Sequence, residues 1–442
     1  MKIALKNLAT KQNISQKIIM KKLIFTCVTT LSLGLLSFQS SAQSFVFNSD
    51  EGCITNVGDT DCISNAVISA MPFLRIAPDA RGGAMGDVGI ALSPNSNAMH
   101  YNASNLVYAE EETAMSVTYT PWLRELNLND IYLAYLSGYK KIDDLQTVGF
   151  GLRYFSLGEI SFTDNDGVST GSGRPREFEI SGAYARKLSD KLAAGLTAKY
   201  IYSNLASGQM AGGLDINSAN AFAADFSLTY RSKGKTGGYN SEFAMGLALT
   251  NIGTKVSYTN QAIKDFLPSN LGLGSSLKLE LDDFNTVEFA LDVNKLMVPT
   301  PVARFIDDND PTTPPLPNPE YSQDGDDIAD FRQKSLFSGL FGSFSDAQGG
   351  LGEELREFAY SFGVEYWYDK QFAVRAGYYY ENEDKGDRKF LTVGLGLKYN
   401  VFGIDLSYLV PTSNQRNPLD NTLRFGLVFD FASYSEQNAL VE

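Results

Sequence analysis

The chain of 442 residues has very little of what enzymes and metal sites most often use. It contains one histidine, His100, and three cysteines. A Ser-His-Asp or Cys-His catalytic group would therefore have to use His100 itself, and a zinc site built from several histidines is excluded. The P-loop and H-E-x-x-H motifs are also missing. These absences predict a protein that is not an enzyme and that binds no cofactor.

Excess positive charge and long apolar segments are missing as well. The formal net charge is −14, which argues against nucleic acid as a partner, because phosphate contacts need clustered lysine and arginine. After the first forty residues, no stretch approaches the roughly 20 apolar residues that a membrane-spanning helix needs.

The N-terminus has the pattern of an export signal. Lys21 and Lys22 form a basic start, residues 23–38 are mostly apolar, and the small residues 40–42 resemble a cleavage site. We expect a signal peptide over residues 1–42 and a mature protein that begins near Gln43. A start at Met20 is an open alternative, and a membrane anchor is a less favoured one.

Two cysteines remain after cleavage, Cys53 and Cys62, in a stretch rich in glycine and aspartate. In an oxidising periplasm we expect them to form a disulfide that closes a small loop. Two free thiols are the alternative.

What the sequence does have is alternation of apolar and polar residues in runs of about ten, the length of a tilted membrane strand. In the last run, Leu423, Phe425, Leu427 and Phe429 alternate with polar or small residues. The fourteen predicted strands lie near residues 112–120, 130–140, 146–156, 177–186, 192–203, 219–232, 241–252, 270–281, 285–294, 357–368, 372–380, 389–399, 401–410 and 421–431.

These runs predict an all-β protein, a fourteen-stranded antiparallel transmembrane β-barrel over residues 112–442. Connections alternate between short turns and longer loops, which is typical of outer-membrane barrels with their long loops outside. The longest outer loop spans 295–356. Tyrosines recur at strand ends, where a membrane interface favours them: Tyr119, Tyr200, Tyr230, Tyr368 and Tyr399.

A barrel this wide needs a plug or leaves a channel, and residues 43–111 are the predicted plug (hatch). Glycines on the lumen face of the strands would let plug backbone approach the wall: Gly149, Gly151, Gly272, Gly274, Gly394 and Gly396. Charged residues at mid-strand predict ion pairs between wall and plug: Arg153, Asp225, Asp292, Glu365, Arg375, Asp405 and Arg424.

The stretch from Ala77 to Gly89 (APDARGGAMGDVG), with Asn97 to Leu106 (NAMHYNASNL), resembles the N-terminal hatch of FadL-type outer-membrane barrels. The run AMHYN points to the PorV branch of that family. The motif consists of Arg81, Gly82, Gly83, Met85, Gly86, Gly89, Asn97, His100 and Asn102. The resemblance extends over essentially all of the mature chain.

This resemblance implies a fourteen-stranded barrel in the cell outer membrane that serves type IX secretion as a shuttle. Such a shuttle receives secreted cargo by its C-terminal signal domain and delivers it to a surface sortase. The implied partners are the translocon barrel, a PorU-like sortase, cargo C-terminal domains, and outer-membrane lipid with lipopolysaccharide. The alternative is a FadL-like transporter of hydrophobic small molecules, which would need an apolar path through the barrel.

Within the long outer loop, apolar residues recur at helical spacing. They could cover the barrel's own rim, enter the outer leaflet or bind a partner. The partner-binding candidates are Trp122, Leu336, Phe337, Leu340, Phe341 and Phe344. Trp122 could alternatively belong to the interfacial girdle.

Two candidate sites have simpler explanations. The carboxylates of Asp324, Asp326 and Asp330 could hold Ca²⁺, but they lack a complete twelve-residue calcium loop, and a solvated acidic loop is favoured. His100 could sense pH or bind a ligand, although a hydrogen-bonded histidine within the plug is favoured.

Overall fold

The structure is a computed structural model. It describes residues 45–48, 53–56, 67–123, 128, 130–163, 169–211, 214–259, 264–301, 305–306, 316–317, 332–347, 349–412 and 421–431. The predicted signal peptide (1–42), Cys62 with the predicted disulfide, and the calcium candidates Asp324, Asp326 and Asp330 lie outside the described residues. In the part of the chain that is described, no helix is long and apolar enough to cross a membrane.

Fourteen strands close into a single antiparallel barrel. They are β1 (Thr113–Pro121), β2 (Ile131–Lys141), β3 (Gln146–Leu157), β4 (Arg176–Lys187), β5 (Leu192–Asn204), β6 (Ala219–Thr236), β7 (Tyr239–Gly253), β8 (Asn270–Glu280), β9 (Asn285–Leu296), β10 (Phe358–Tyr368), β11 (Phe372–Tyr380), β12 (Lys389–Tyr399), β13 (Phe402–Pro411) and β14 (Leu423–Asp430). The predicted strand set is confirmed. The largest difference in a strand end is at β6, which continues to Thr236 instead of ending at 232.

Each strand pairs with the next, and β14 pairs with β1, where Phe425 lies opposite Tyr119. Closure satisfies the backbone of every strand and leaves no free sheet edge, which is the condition for β-structure in a bilayer. On β12, Val393 and Leu395 are exposed on the outer face while Thr392 is buried on the lumen face. The period-two pattern thus places apolar side chains toward lipid.

The two ends of the barrel differ. Short connections, such as the two residues 237–238 between β6 and β7, lie at one end, here called the short-turn end. Longer connections, including 297–357, lie at the other, the long-loop end. In outer-membrane barrels the short turns face the periplasm and the long loops face the exterior.

The plug runs through the lumen from the long-loop end to the short-turn end. Its Ala70 N–H donates to the Phe266 carbonyl, in the connection between β7 and β8, at 2.8 Å. At the other end the chain passes directly into Thr113 of β1. Between them lie two single-turn helices, α1 (Ala80–Gly83) and α2 (Ala98–Tyr101).

Most described plug side chains are buried. Met85 and Leu106 are 0% exposed. Met85 packs with Val88 and Leu92 of the plug and with Ala290 of the wall. Burial of these side chains inside the barrel removes apolar surface from water and fixes the plug against the wall.

Candidate functional site

The plug motif is fastened to the wall through its asparagines. The Asn97 side-chain oxygen accepts a hydrogen bond from the Ser137 hydroxyl at 2.7 Å. Asn102 donates to the Ile90 carbonyl at 2.8 Å and to the Thr229 hydroxyl at 2.9 Å. Because both amides are buried, each bond also removes the cost of an unpaired polar group.

Arg81 is the centre of a buried ion-pair network between plug and wall. Its guanidinium donates twice to the Glu365 carboxylate on β10, through Nε at 2.9 Å and Nη2 at 2.7 Å. Nη1 donates to the Ser93 carbonyl at 2.6 Å, and Nη2 lies 3.5 Å from the Glu288 carboxylate. Glu365 also accepts from Arg375 at 2.6 Å. This bidentate ion pair fixes the position of the plug along the barrel axis.

The motif glycines allow the plug backbone to lie directly against the barrel wall. Gly86 has φ +71, and a Cβ there would lie 2.6 Å from the Tyr378 carbonyl oxygen, so no side chain fits. Its N–H donates to the Thr392 hydroxyl at 2.8 Å. The Gly89 N–H donates to the Asp292 carboxylate at 2.7 Å.

Among the described wall glycines, Gly377 leaves the least room beside plug backbone, and the sequence reasoning missed it. A Cβ on Gly377 would lie 2.0 Å from the Met85 carbonyl carbon and 2.1 Å from the Gly86 nitrogen. Gly195 is similar, since its Cβ would lie 2.5 Å from the Ser104 nitrogen. Of the predicted wall glycines, Gly394 lies against the plug at Ala84, where a Cβ would be 2.3 Å from the side chain and 3.6 Å from the backbone, and the others meet plug side chains or neighbouring wall atoms. Only the three-dimensional path of the plug distinguishes the two kinds of glycine.

His100 is a half-buried part of the plug. Its Nδ1 lies 2.5 Å from Nη2 of Arg153, which can only donate, so Nδ1 is the acceptor and the ring is neutral. Burial, reinforced by the positive charges of Arg153 and Lys199, lowers the pKa of His100 well below 6.5. Arg153 also donates to the carbonyls of Phe73 and Leu74. This placement fits the favoured structural role and not a pH sensor.

The mid-strand charges meet the plug less uniformly than the sequence predicts. Arg424 lies 3.4 Å from Asp87 of the plug, as expected for a wall–plug pair. Asp225, however, pairs with Lys199 at 2.8 Å, and both belong to the wall. Asp292 accepts plug backbone N–H groups without an ion pair. The period-two pattern predicts that a charge faces the lumen, but it does not identify its partner.

At the long-loop end, charged residues hold the plug entrance and the loop together. The Glu381 carboxylate, just beyond β11, accepts from Arg75 of the plug at 3.0 Å and from Arg388 at 2.7 Å. Burial would raise the pKa of Glu381, but the two guanidinium groups hold it at about 2. Lys295 at the end of β9 pairs with Glu354 of the long loop at 3.1 Å.

Two short helices of the long loop carry exposed apolar side chains, α3 (Leu336–Gly342) and α4 (Leu351–Arg356). Phe337 is 65% exposed and Phe341 is 69% exposed. Leu340 is 1% exposed, and a Cβ on the neighbouring Gly339 would lie 2.6 Å from the Phe266 ring. This side of α3 therefore packs inward, while Phe337 and Phe341 face outward.

We call the exposed set the long-loop patch. It consists of Phe337, Phe341, Phe344, Leu351 and Leu355. Of the predicted partner-binding residues, Phe337, Phe341 and Phe344 are at the surface, Leu336 is half-buried and Leu340 is buried. Leu351 and Leu355 were missed, because α4 is too short and too polar to show a helical apolar face in the sequence.

Trp122 is the clearest correction among the partner-binding candidates. Its side chain is only 8% exposed, and its ring packs edge-on against Phe155 at 4.9 Å between centroids. It belongs to the apolar cluster that also contains Phe73 and Leu74 of the plug. Neither a partner contact nor an interfacial girdle fits a ring that packs inward. The preceding Pro121 gave no signal of that direction.

The described residues line a series of cavities along the lumen, of which three bear on the plug. The outer cavity, about 140 Å³, is lined by charged residues that include Lys199, Asp292, Glu381 and Arg388. The middle cavity, about 10 Å³, lies within the plug. The vestibule, about 410 Å³, lies at the short-turn end. Tyr101 lines both the outer and the middle cavity, so its ring separates them.

Tyr101 is therefore expected to seal the lumen. Its ring contacts the Gly89 position, where a Cβ would lie 2.2 Å away, and its hydroxyl donates to Asp79 at 2.6 Å. We expect Tyr101→Ala to join the outer and middle cavities and to raise ion conductance in planar bilayers at least tenfold. Tyr101→Phe keeps the ring and should stay sealed. If both variants conducted equally well, the hydroxyl and not the ring would form the seal. If neither conducted, Tyr101 would not be the seal.

The letters GVSTG at 167–171 match the serine hydrolase pattern G-x-S-x-G, but the local structure does not. A nucleophile elbow joins a strand to a helix. Ser169 instead begins a short strand, Ser169–Gly173, that pairs with Ile160–Thr163. In the described residues, no group of three or more histidine, cysteine, aspartate or glutamate side chains is placed to hold a metal ion.

Comparison with solved structures gives toluene transporters and a FadL homologue at low identity. The toluene transporter TbuX of Ralstonia pickettii is 15% identical, with 79% of this chain and 96% of that chain covered and a TM-score of 0.42. The toluene transporter TodX of Pseudomonas putida is 11% identical, with coverage of 78% and 95% and a TM-score of 0.43. A FadL homologue of Pseudomonas aeruginosa is 10% identical, with coverage of 83% and 100% and a TM-score of 0.39.

Comparison with curated proteins gives no match. A family model does match, and it spans residues 60–303, which include most of the plug and the first nine strands. Its description is type IX secretion system protein PorV. With the closed barrel and its lipid-facing apolar surface, this match identifies an integral outer-membrane component of that system. The chain belongs to the PorV family of type IX secretion system proteins.

Proposed function

We propose that this protein is a shuttle of the type IX secretion system. It binds the C-terminal signal domains of secreted cargo after translocation and delivers them to a PorU-like sortase at the cell surface. In this proposal the translocon barrel is a direct partner, and the chain itself does no bond chemistry.

The observation that supports the proposal best is the long-loop patch. Exposed phenylalanine and leucine side chains cost free energy in water and are typical of surfaces that bind another protein. Lys295 and Glu354 anchor α4 to the barrel wall through a buried ion pair. The patch is thus presented on a fixed support at the end of the barrel that faces the exterior.

The lumen argues against the alternative, transport of hydrophobic small molecules. Such a ligand needs a continuous path of apolar side chains. The outer cavity instead exposes charged groups such as Lys199 and Arg388, and the middle cavity has room for about one water molecule. The Tyr101 ring separates the two.

We expect Phe337→Ser with Phe341→Ser to reduce recovery of cargo by at least tenfold. The measurement is affinity purification of the tagged barrel from native outer membranes, with quantitative mass spectrometry. Secreted proteins that share a C-terminal domain, a very large barrel and a sortase-like protein should accompany the unaltered chain. Loss of the two rings removes the apolar contact area but leaves the buried Leu340 in place.

Phe284→Ser is the matched control, because Phe284 is also exposed, at 56%, but lies in a short turn at the opposite end. It should leave cargo recovery unchanged. Full cargo recovery with the double variant would contradict the proposed role of the patch. Recovery of the barrel alone with extractable hydrophobic compounds would favour the transporter.

A further inference from the structure

We propose that the vestibule at the short-turn end binds an acidic peptide segment of a periplasmic partner. This surface is at the opposite end of the barrel from the long-loop patch and does not depend on the shuttle proposal. It also differs in chemistry, since it is concave and charged where the patch is apolar.

Four lysines from four alternate strands line one side of the vestibule. Lys141 is the last residue of β2 and Lys187 is the last of β4, while Lys233 and Lys278 lie near the ends of β6 and β8. All even-numbered strands end at the short-turn end, so the barrel topology itself collects these side chains there. We call these four lysines the lysine arc. The formal net charge of the whole chain is −14, so the arc has the opposite sign to the molecule.

Carboxylates pair with this arc only weakly. Lys233 lies 3.8 Å from Glu242, at the limit of an ion pair. Lys141 contacts the Ala109 backbone carbonyl. Lys278 lies opposite Glu242 and Glu288 in the strand registers, but it forms no ion pair with either in the described structure.

The vestibule is also lined by carboxylates: Glu110, Glu111, Glu242, Asp405 and Asp430. Three of them form ion pairs with other cations, Glu242 with Arg231, Asp405 with Arg375 and Asp430 with Lys398. The four lysines therefore repel one another with little compensation, and an anionic ligand would relieve that repulsion.

The vestibule also holds aromatic rings. Lys187 lies 5.7 Å from the Tyr108 ring centre, and the Tyr108 hydroxyl is buried with no hydrogen-bond partner in the described structure. Trp367 lines the opposite wall. Cations beside aromatic rings, in a space of about 410 Å³, suit a segment that carries both acidic and apolar groups. A single inorganic anion would leave most of this space unfilled.

The test uses the tryptophan content of the chain. The sequence has two tryptophans, Trp122 at the long-loop end and Trp367 in the vestibule. Trp122→Phe therefore leaves Trp367 as the only reporter. The purified full-length barrel in detergent is titrated with fluorescein-labelled hexaglutamate, and peptide anisotropy measures binding. Unlabelled hexaglutamate is then added while Trp367 emission reports where it binds.

We expect saturable binding with a change in Trp367 emission, weakened by added salt. Lys187→Gln with Lys278→Gln should weaken it about tenfold, the scale of two modest charge contacts. Lys191→Gln with Lys235→Gln is the matched control. Both lysines are exposed at the same end but do not line the vestibule. The control pair should change binding less than about twofold.

Five results would overturn the proposal, the first four of them in the peptide titrations. These are no binding by anisotropy, binding without a change in Trp367 emission, equal binding of hexaglutamine, and equal loss in the control pair. Displacement of the peptide by an equal concentration of inorganic phosphate would identify a free-anion site and would also overturn it.

Discussion

Replacing Arg81 with alanine is expected to lower the free energy of unfolding by about 3–5 kcal/mol, the cost of breaking a buried ion pair. The guanidinium makes two hydrogen bonds to Glu365 and one to the Ser93 carbonyl, all inside the barrel. Its removal leaves these acceptors buried, with Arg375 as the remaining partner of Glu365. The measurement is urea unfolding of the barrel in phospholipid vesicles, followed by tryptophan fluorescence.

The chain offers a matched control for Arg81. Arg174 also pairs with a glutamate, Glu159, at 2.9 Å, but the arginine side chain is 80% exposed. Arg174→Ala should cause no measurable change in stability, because water replaces an exposed ion pair at little cost. Combining Arg81→Ala with Glu365→Gln should cost less than the sum of the two single changes. If the two arginine variants behaved alike, the plug would not depend on this network.

Replacing Gly377 with alanine is expected to displace the plug from the wall. A methyl group there would overlap the backbone of Met85 and Gly86 at 2.0–2.1 Å, and backbone cannot rotate away as a flexible side chain can. Overpacking of this kind costs about 1–3 kcal/mol or shifts the intruding segment. We expect ion conductance in planar bilayers and trypsin cleavage within the plug, neither of which the unaltered barrel should show.

Gly182→Ala is the corresponding control. Gly182 lies at mid-strand on the outer face of β4, and a Cβ there would meet nothing within 4 Å. This variant should remain sealed and resistant to trypsin. If the Gly377→Ala barrel stayed sealed, the plug backbone would have shifted to accommodate the methyl group. Other contacts, such as those of Asn97 and Asn102, would then be enough to hold the plug in place.

The barrel was predictable because its physics is local. Residues such as Val393 and Leu395 alternate with Thr392 and Gly394, and one face must meet lipid while the other meets the lumen. Strand number and boundaries follow directly from that alternation. The plug was predictable in outline from its glycine content and its resemblance to known hatches, which indicate a segment packed where side chains have no room.

The site was less predictable, since it depends on contacts between distant parts of the chain. Trp122 and Phe337 look alike in sequence, as aromatic residues in outer connections, yet one is 8% exposed and the other 65%. The difference arises because Phe155 and the plug entrance cover Trp122. Similarly, Leu340 and Phe341 are neighbours, but only Phe341 points away from the barrel.

By itself, the sequence determined that the chain forms a fourteen-stranded barrel, which residues face lipid, and that the N-terminal segment fills the lumen. Tertiary structure alone decided which lumen charge meets which partner, which glycine touches plug backbone, and which loop residues reach the surface. The physical reason is the range of the interactions. Alternation is a property of neighbouring residues, whereas Arg81 and Glu365 are separated by 284 positions and are brought together only when the barrel closes around the plug.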